Sequence, residues 1–207
     1  MTCQALKSGL TKKRFEFSFT DIKLTLFNNG LYKKIRGFMA ERNFIIKDRS
    51  YQLAGVPVRE GDKAPDFTVI AQDFSARKFS DYQGKVRVIA SVPSLDTSVC
   101  DRETKRFNDE AANLGDDIAI LTISMDLPYA QRRWCGAVDN VQVNVLSDHR
   151  DADFGRKYGV LVEDLRILAR AVFVVDKEGM VRYTELVREI GNEPDYEKLL
   201  NAARQLI

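Results

Sequence analysis

Cysteine is scarce in this chain of 207 residues: there are three, scattered at Cys3, Cys100 and Cys135. That count and scatter exclude a secreted disulfide scaffold. With His149 as the sole histidine and no C-x-x-C pair, zinc-ligand spacing is missing as well, and no metal or organic cofactor is expected. Long apolar runs are also lacking. Stretches such as Ala171 to Val175 are strand-sized, and the N-terminus has no continuous apolar core of a secretory signal. A reducing, cytoplasmic setting with no membrane partner is the expectation. Nor is there a large excess of charge, the net being +2, and that excess is local: residues 1–38 hold eight Lys/Arg against two acids, leaving 24 basic and 28 acidic residues elsewhere. Nucleic-acid binding needs basic residues grouped on the folded body, so no nucleic-acid partner is expected.

What is present, 44% hydrophobic residues, suffices for one substantial core. Residues 1–42 read as a basic N-terminal extension outside the folded domain, because Phe15, Phe17, Phe19, Leu24, Leu26 and Phe27 follow no sustained periodicity. A targeting segment, an interaction arm and translation upstream of the true start all fit it. Met39, four residues before the first strand pattern, is the alternative start. The folded domain, 43–207, opens with a β-hairpin at Asn43–Lys47 and Ser50–Leu53. Strands follow at Thr68–Ile70, Val86–Ser91, Ile118–Ser124 and Val141–Leu146. Between them lie a helix in which Phe107, Ala111 and Leu114 recur at helical spacing, a helix at Pro128–Gly136 and a short one at Ala152–Tyr158. Ala171–Val175 and Val181–Leu186 flank a turn at Asp176–Gly179, and Tyr196–Ile207 closes as a helix. Alternation of this kind predicts an α/β domain, a central mixed sheet flanked by helices.

The stretch Pro93-Ser94-Leu95-Asp96-Thr97-Ser98-Val99-Cys100 leaves an apolar strand and enters a helix. It places a thiol in the first helical turn, where free backbone N–H groups and the positive end of the macrodipole favour thiolate. Cys100 thus reads as a nucleophile and Thr97 as a nearby hydroxyl; a buried core cysteine with Thr97 as a cap is the other reading. Arg170 begins the very apolar run L-A-R-A-V-F-V-V-D, where a permanent charge is expensive unless paired. Either a thiolate or a carboxylate could pair it. Cys135 sits near the end of its helix, beside Trp134 and Gly136, where the dipole opposes thiolate. His149, after Asp148, reads as a structural hydrogen bonder.

Four separated segments resemble the peroxiredoxins. P-x-x-x-T-x-x-C, within S-L-D-T-x-V-C, is similar to the active-site signature of the thiol peroxidase branch. M-D-L-P-x-A-x-x-R-W-C-G resembles its resolving-cysteine segment, and G-D-x-A-P-D-F and L-A-R-A-V-F-V-V-D are family-like too. The resemblance spans about Asn43 to Ile207 and implies a thioredoxin-like fold and an atypical two-cysteine peroxiredoxin. In that reading Cys100 is the peroxidatic nucleophile, Thr97 and Arg170 orient peroxide, and Pro93 supports the loop. Cys135 resolves the sulfenic acid through an intramolecular disulfide with Cys100. Reduction of hydrogen peroxide and organic hydroperoxides, recycling by thioredoxin, and a homodimer are implied as well. A redox-sensing or holdase module using the same cysteine pair is the alternative. A thiol–disulfide oxidoreductase would instead carry C-x-x-C.

Overall fold

The computed structural model describes residues 42–115 and 117–207. The expectations for residues 1–41, including Cys3 and the alternative start at Met39, lie outside the described residues. In chain order the first half comprises β1 (Asn43–Ile46), β2 (Arg49–Ala54), β3 (Thr68–Ile70), β4 (Ala76–Lys78), a 3-10 turn (Phe79–Tyr82), β5 (Val86–Ser91) and α1 (Ser98–Leu114). The second half comprises β6 (Ile118–Ser124), α2 (Pro128–Gly136), β7 (Asn144–Ser147), α3 (Asp153–Lys157), β8 (Leu161–Val162), β9 (Ile167–Leu168), β10 (Ala171–Val175), β11 (Val181–Leu186) and α4 (Tyr196–Arg204).

The main sheet runs β11-β10-β5-β6-β7-β3-β4, with β5, β6 and β7 parallel and the flanking pairs antiparallel. Every residue of β5 and β6 is buried, as befits parallel strands covered on both faces. The strand period divides β5 between two cores. Val86, Val88 and Ala90 join Phe107 of α1, Trp134 of α2 and Leu199 of α4, while Ile89 joins Phe67, Phe154 and Phe173 on the other face. Helices thus flank a central mixed sheet, as the sequence predicts.

The N-terminal hairpin forms, β1 pairing with β2 through a turn in which Lys47 has φ 53°. It extends into a small second sheet, β1-β2-β8-β9. Arg42, just before it, donates to the carbonyls of Gly55 and Gly159, both at 2.9 Å. Strands β8 and β9, two residues each, are too short to carry periodicity, and the wholly exposed β4 shows no alternation. β7 begins at Asn144 instead of Val141. The Asn108 side chain takes the backbone N–H groups of Gln142 (2.6 Å) and Val143 (3.3 Å), which therefore do not enter the ladder.

The parallel register sets Ser91 opposite Ile123, so the carboxyl ends of β5 and β6 lie side by side. The loop leaving β5 leads to Cys100 and the loop leaving β6 leads to Cys135. Both cysteine-bearing segments therefore emerge at the strand ends where open α/β sheets place their sites.

Candidate active site

Thr97 is the N-cap of α1, extended at φ −97° and ψ 143°, and the first helical bond runs from Asp101 N to its carbonyl at 2.9 Å. Cys100 is the third residue of the helix, so it sits among the N–H groups that precede that bond. Its side chain is fully buried. The Thr97 hydroxyl donates to the Ser94 carbonyl at 3.0 Å, and no hydrogen bond joins it to Cys100 among the described contacts. Pro93 is buried beneath this loop.

Arg170, which immediately precedes β10, is also fully buried and reaches the thiol: Nη2 donates to Cys100 Sγ at 3.3 Å and to the Ile190 carbonyl at 3.1 Å. Nη1 pairs with the Glu103 carboxylate, itself 0% exposed. The cysteine sulfur and a carboxylate, the two kinds of partner weighed for Arg170, thus both lie against its guanidinium. Ser91 Oγ donates to the carbonyls on either side of Arg170, Ala169 (2.8 Å) and Ala171 (3.2 Å), and Val187 N donates to the Arg170 carbonyl at 2.9 Å. Burial alone lowers the proton affinity of the guanidinium, but Glu103 and Cys100 beside it more than offset this and hold it above its ordinary value. Burial pushes the Glu103 carboxyl up to about 7 against the pull of Arg170.

The loop before α1 is held by Asp126, just beyond β6. Its carboxylate accepts from Ser94 Oγ (2.7 Å), Leu95 N (2.8 Å) and Ser124 Oγ (2.8 Å). Buried Gln131 of α2 joins the same network, donating to Ser124 Oγ at 3.1 Å and to the Leu146 carbonyl at 2.7 Å. One carboxylate therefore ties the segment carrying Cys100 to the segment carrying Cys135. Two further contacts bring α2 onto α1 and the loop before it: Arg133 pairs with Asp96 of the loop, and Trp134 Nε1 donates to Asp101 Oδ1 of the helix at 2.9 Å.

Cys135 lies half-buried in the last turn of α2, and both it and Cys100 are free thiols. Burial pushes the Cys135 thiol up, opposed by a hydrogen bond from Gln72 Nε2 at 3.0 Å. His149 Nδ1 meets Ser147 Oγ at 2.8 Å, a local bond of the kind foreseen for it. Asp148 is buried and caps the short α3 by accepting from Phe154 N and Gly155 N. Burial raises its carboxyl to about 6 against those bonds. Among the described residues, no group of three or more His, Cys, Asp or Glu side chains is placed to hold a metal ion.

Glu103, Asp126, Ser91 and Gln72 were not singled out from the sequence. Only Glu103 carried a local signal. Cys100, Glu103, Thr104 and Phe107 fall on one stripe of α1, and a carboxylate on a buried stripe calls for a cation.

The redoxin family model matches residues 59–200. A thiol peroxidase of Oceanobacillus iheyensis is 55% identical over 159 residues, covering 77% of this chain and 96% of that protein. The thiol peroxidase of Bacillus subtilis is 50% identical over 169 residues, covering 82% and 99%. Among solved structures, a peroxiredoxin-like protein from Aquifex aeolicus superposes with a TM-score of 0.75 at 42% identity, over 80% of this chain and 98% of that one. With a redoxin match over most of the chain, thiol peroxidases at about half identity across nearly their whole length, and a thioredoxin-like sheet shared with a solved relative, the chain belongs to the redoxin family as a peroxiredoxin-type, thiol-dependent peroxidase.

Proposed function

We propose that Cys100 reduces hydrogen peroxide and organic hydroperoxides, and that Cys135 of the same chain resolves the product. The observation that carries this reading is Arg170 Nη2 at 3.3 Å from Cys100 Sγ, with Glu103 holding the same guanidinium in place. A cationic donor there stabilises negative charge on the sulfur and on oxygen as the O–O bond breaks. Thr97 already donates its proton to Ser94, so its oxygen offers lone pairs to the O–H of a hydroperoxide. Pro93 and Asp126 keep that loop in position. Attack by the Cys100 thiolate forms an S–O bond and breaks the O–O bond; the released alkoxide or hydroxide takes a proton and leaves as alcohol or water.

Sulfenic Cys100 then condenses with Cys135. A disulfide needs the two Cα atoms within about 7 Å. Both cysteines lie in helices, Cys100 in the first turn of α1 and Cys135 in the last turn of α2, so bridging them calls for local unwinding around one or both. An external dithiol reduces the disulfide; family resemblance supports thioredoxin in that role, together with a cytoplasmic setting and a homodimer. The test is a pair of variants given one equivalent of peroxide and analysed by mass. Cys100→Ser should consume none, and Cys135→Ser should consume about one peroxide per chain and stop as a sulfenic acid that a dione reagent traps. Sulfenic acid on Cys135 in the Cys100→Ser variant would reverse the roles.

A further inference from the structure

The turn between β3 and β4 is braced by its own hydrogen bonds and meets α2. Within it Ala71 N donates to the Ser75 carbonyl and Phe74 N to the Ala71 carbonyl, both at 2.9 Å. Asp73 Oδ1 accepts from Ser75 N at 3.0 Å, and Phe74 adopts φ 66°. Three residues of α2 meet this tip. The Tyr129 ring packs edge-on to Phe74 at 5.0 Å, Arg132 donates to the Gln72 carbonyl, and Cys135 Sγ accepts from Gln72 Nε2 at 3.0 Å. Spaced by three residues, they form one stripe along the helix.

The surroundings of Cys135 otherwise work against a thiolate. It lies in the last turn of a helix, where the dipole is negative, and it is half-buried among apolar residues of the core that includes Trp134 and Val143. Gln72, 63 residues away in sequence, supplies a donor from a backbone that is itself pinned to α2. A hydrogen bond to a charged acceptor is about twice as strong as a neutral one, so this contact strengthens as the sulfur ionises.

We propose that Gln72 is a further catalytic residue, the hydrogen-bond donor that holds and ionises the Cys135 thiol for the resolving step. The proposal rests on the reading of Cys135 as the resolving cysteine. In that step the Cys135 thiolate attacks the sulfur of sulfenic Cys100; an S–S bond forms, the S–O bond breaks, and hydroxide leaves to combine with the proton Cys135 released, giving water. No further oxidant is needed, because the peroxide has already oxidised Cys100.

The experiment compares the full-length chain with Gln72→Met, which keeps the length but removes the donor, and with Gln72→Glu, which places a carboxylate against the sulfur. Each is mixed with one equivalent of hydrogen peroxide, and sulfenic acid and disulfide are followed separately by rapid quench and mass analysis across pH 6 to 10. Sulfenic acid formation should be unchanged. A tenfold loss of thiolate is offset by about a threefold gain in intrinsic nucleophilicity, so disulfide formation at neutral pH should slow about threefold in Gln72→Met and further in Gln72→Glu. Towards pH 10, as the thiol of the unsubstituted chain approaches full ionisation and gains little more from added base, the slowing should shrink and Gln72→Met should draw level. An unchanged rate and pH profile in Gln72→Met, or a slowing equal at every pH, would overturn the proposal. Absence of any Cys100–Cys135 disulfide in the unsubstituted chain would instead remove the resolving role of Cys135, and the proposal with it.

Discussion

Replacing Arg170 by Met keeps an unbranched chain at a fully buried position but leaves the Glu103 carboxylate, 0% exposed, without its cation. Removing one partner of a buried ion pair costs about 3–5 kcal/mol. The pH dependence is the sharper signature. Glu103 ionises at about 7 in the folded chain against an ordinary value of 4.5. Its folded value is the higher one, so its contribution to stability is fully present below pH 4.5 and is lost as pH rises towards 7, by about 3 kcal/mol in total. Above pH 7 the unsubstituted chain loses nothing more from this group. Without the charge of Arg170 the folded value climbs past 7 and the loss continues at about 1.4 kcal/mol per pH unit. The stability gap should therefore stay constant below pH 7 and widen by about 1.4 kcal/mol between pH 7 and pH 8. Urea unfolding followed by the fluorescence of Trp134, the sole tryptophan, measures it. Arg170→Met should lose peroxidase activity with the donor on the Cys100 sulfur, and in Arg170→Met/Glu103→Gln the widening should vanish while activity is not restored, because that donor is still missing. A gap independent of pH, or an active double variant, would refute the reasoning.

Thr97→Val removes an exposed N-cap hydroxyl that bonds only locally, and should lower stability by no more than about 1 kcal/mol. The second-order rate of Cys100 oxidation, read by stopped flow, should fall on the order of a hundredfold, in line with the loss of one positioned group around the transition state. Asp126→Ala strips the acceptor from Ser94, Leu95 and Ser124 together. It should cost about 2–3 kcal/mol in urea unfolding, since buried donors are left unmade. It should also slow both sulfenic acid formation and disulfide formation, since the loops of both cysteines hang on that carboxylate; a change confined to one step would show that it serves only one of them.

Local pattern located most of the elements and both cysteine-bearing helices. The strand-to-helix passage at Pro93–Cys100 was legible because an apolar run, a capping threonine and helical spacing after Cys100 are properties of contiguous residues, and a thiol three residues into a helix meets the same N–H groups wherever the helix packs. The cost of an unpaired charge likewise marked Arg170, since the apolar run around it allowed no solvent. Its partner stayed open between a cysteine sulfur and a carboxylate, and the fold sets both against it.

Only the tertiary structure decided the remainder. Glu103 and Arg170 are 67 residues apart, Gln72 and Cys135 63, and Leu95 and Asp126 31. Each of these contacts depends on strand order, β10 beside β5 beside β6, and on the turn of β3–β4 reaching α2. Periodicity reports which face of an element is buried but not which element covers it. A glutamine in an unremarkable turn, or an aspartate after a strand, has no signal in its own neighbours. The sequence by itself thus determined the helix terminus and the place of Cys100 within its first turn, while the groups that hold Arg170 on that sulfur and a donor on Cys135 exist only because distant strands assemble in one order.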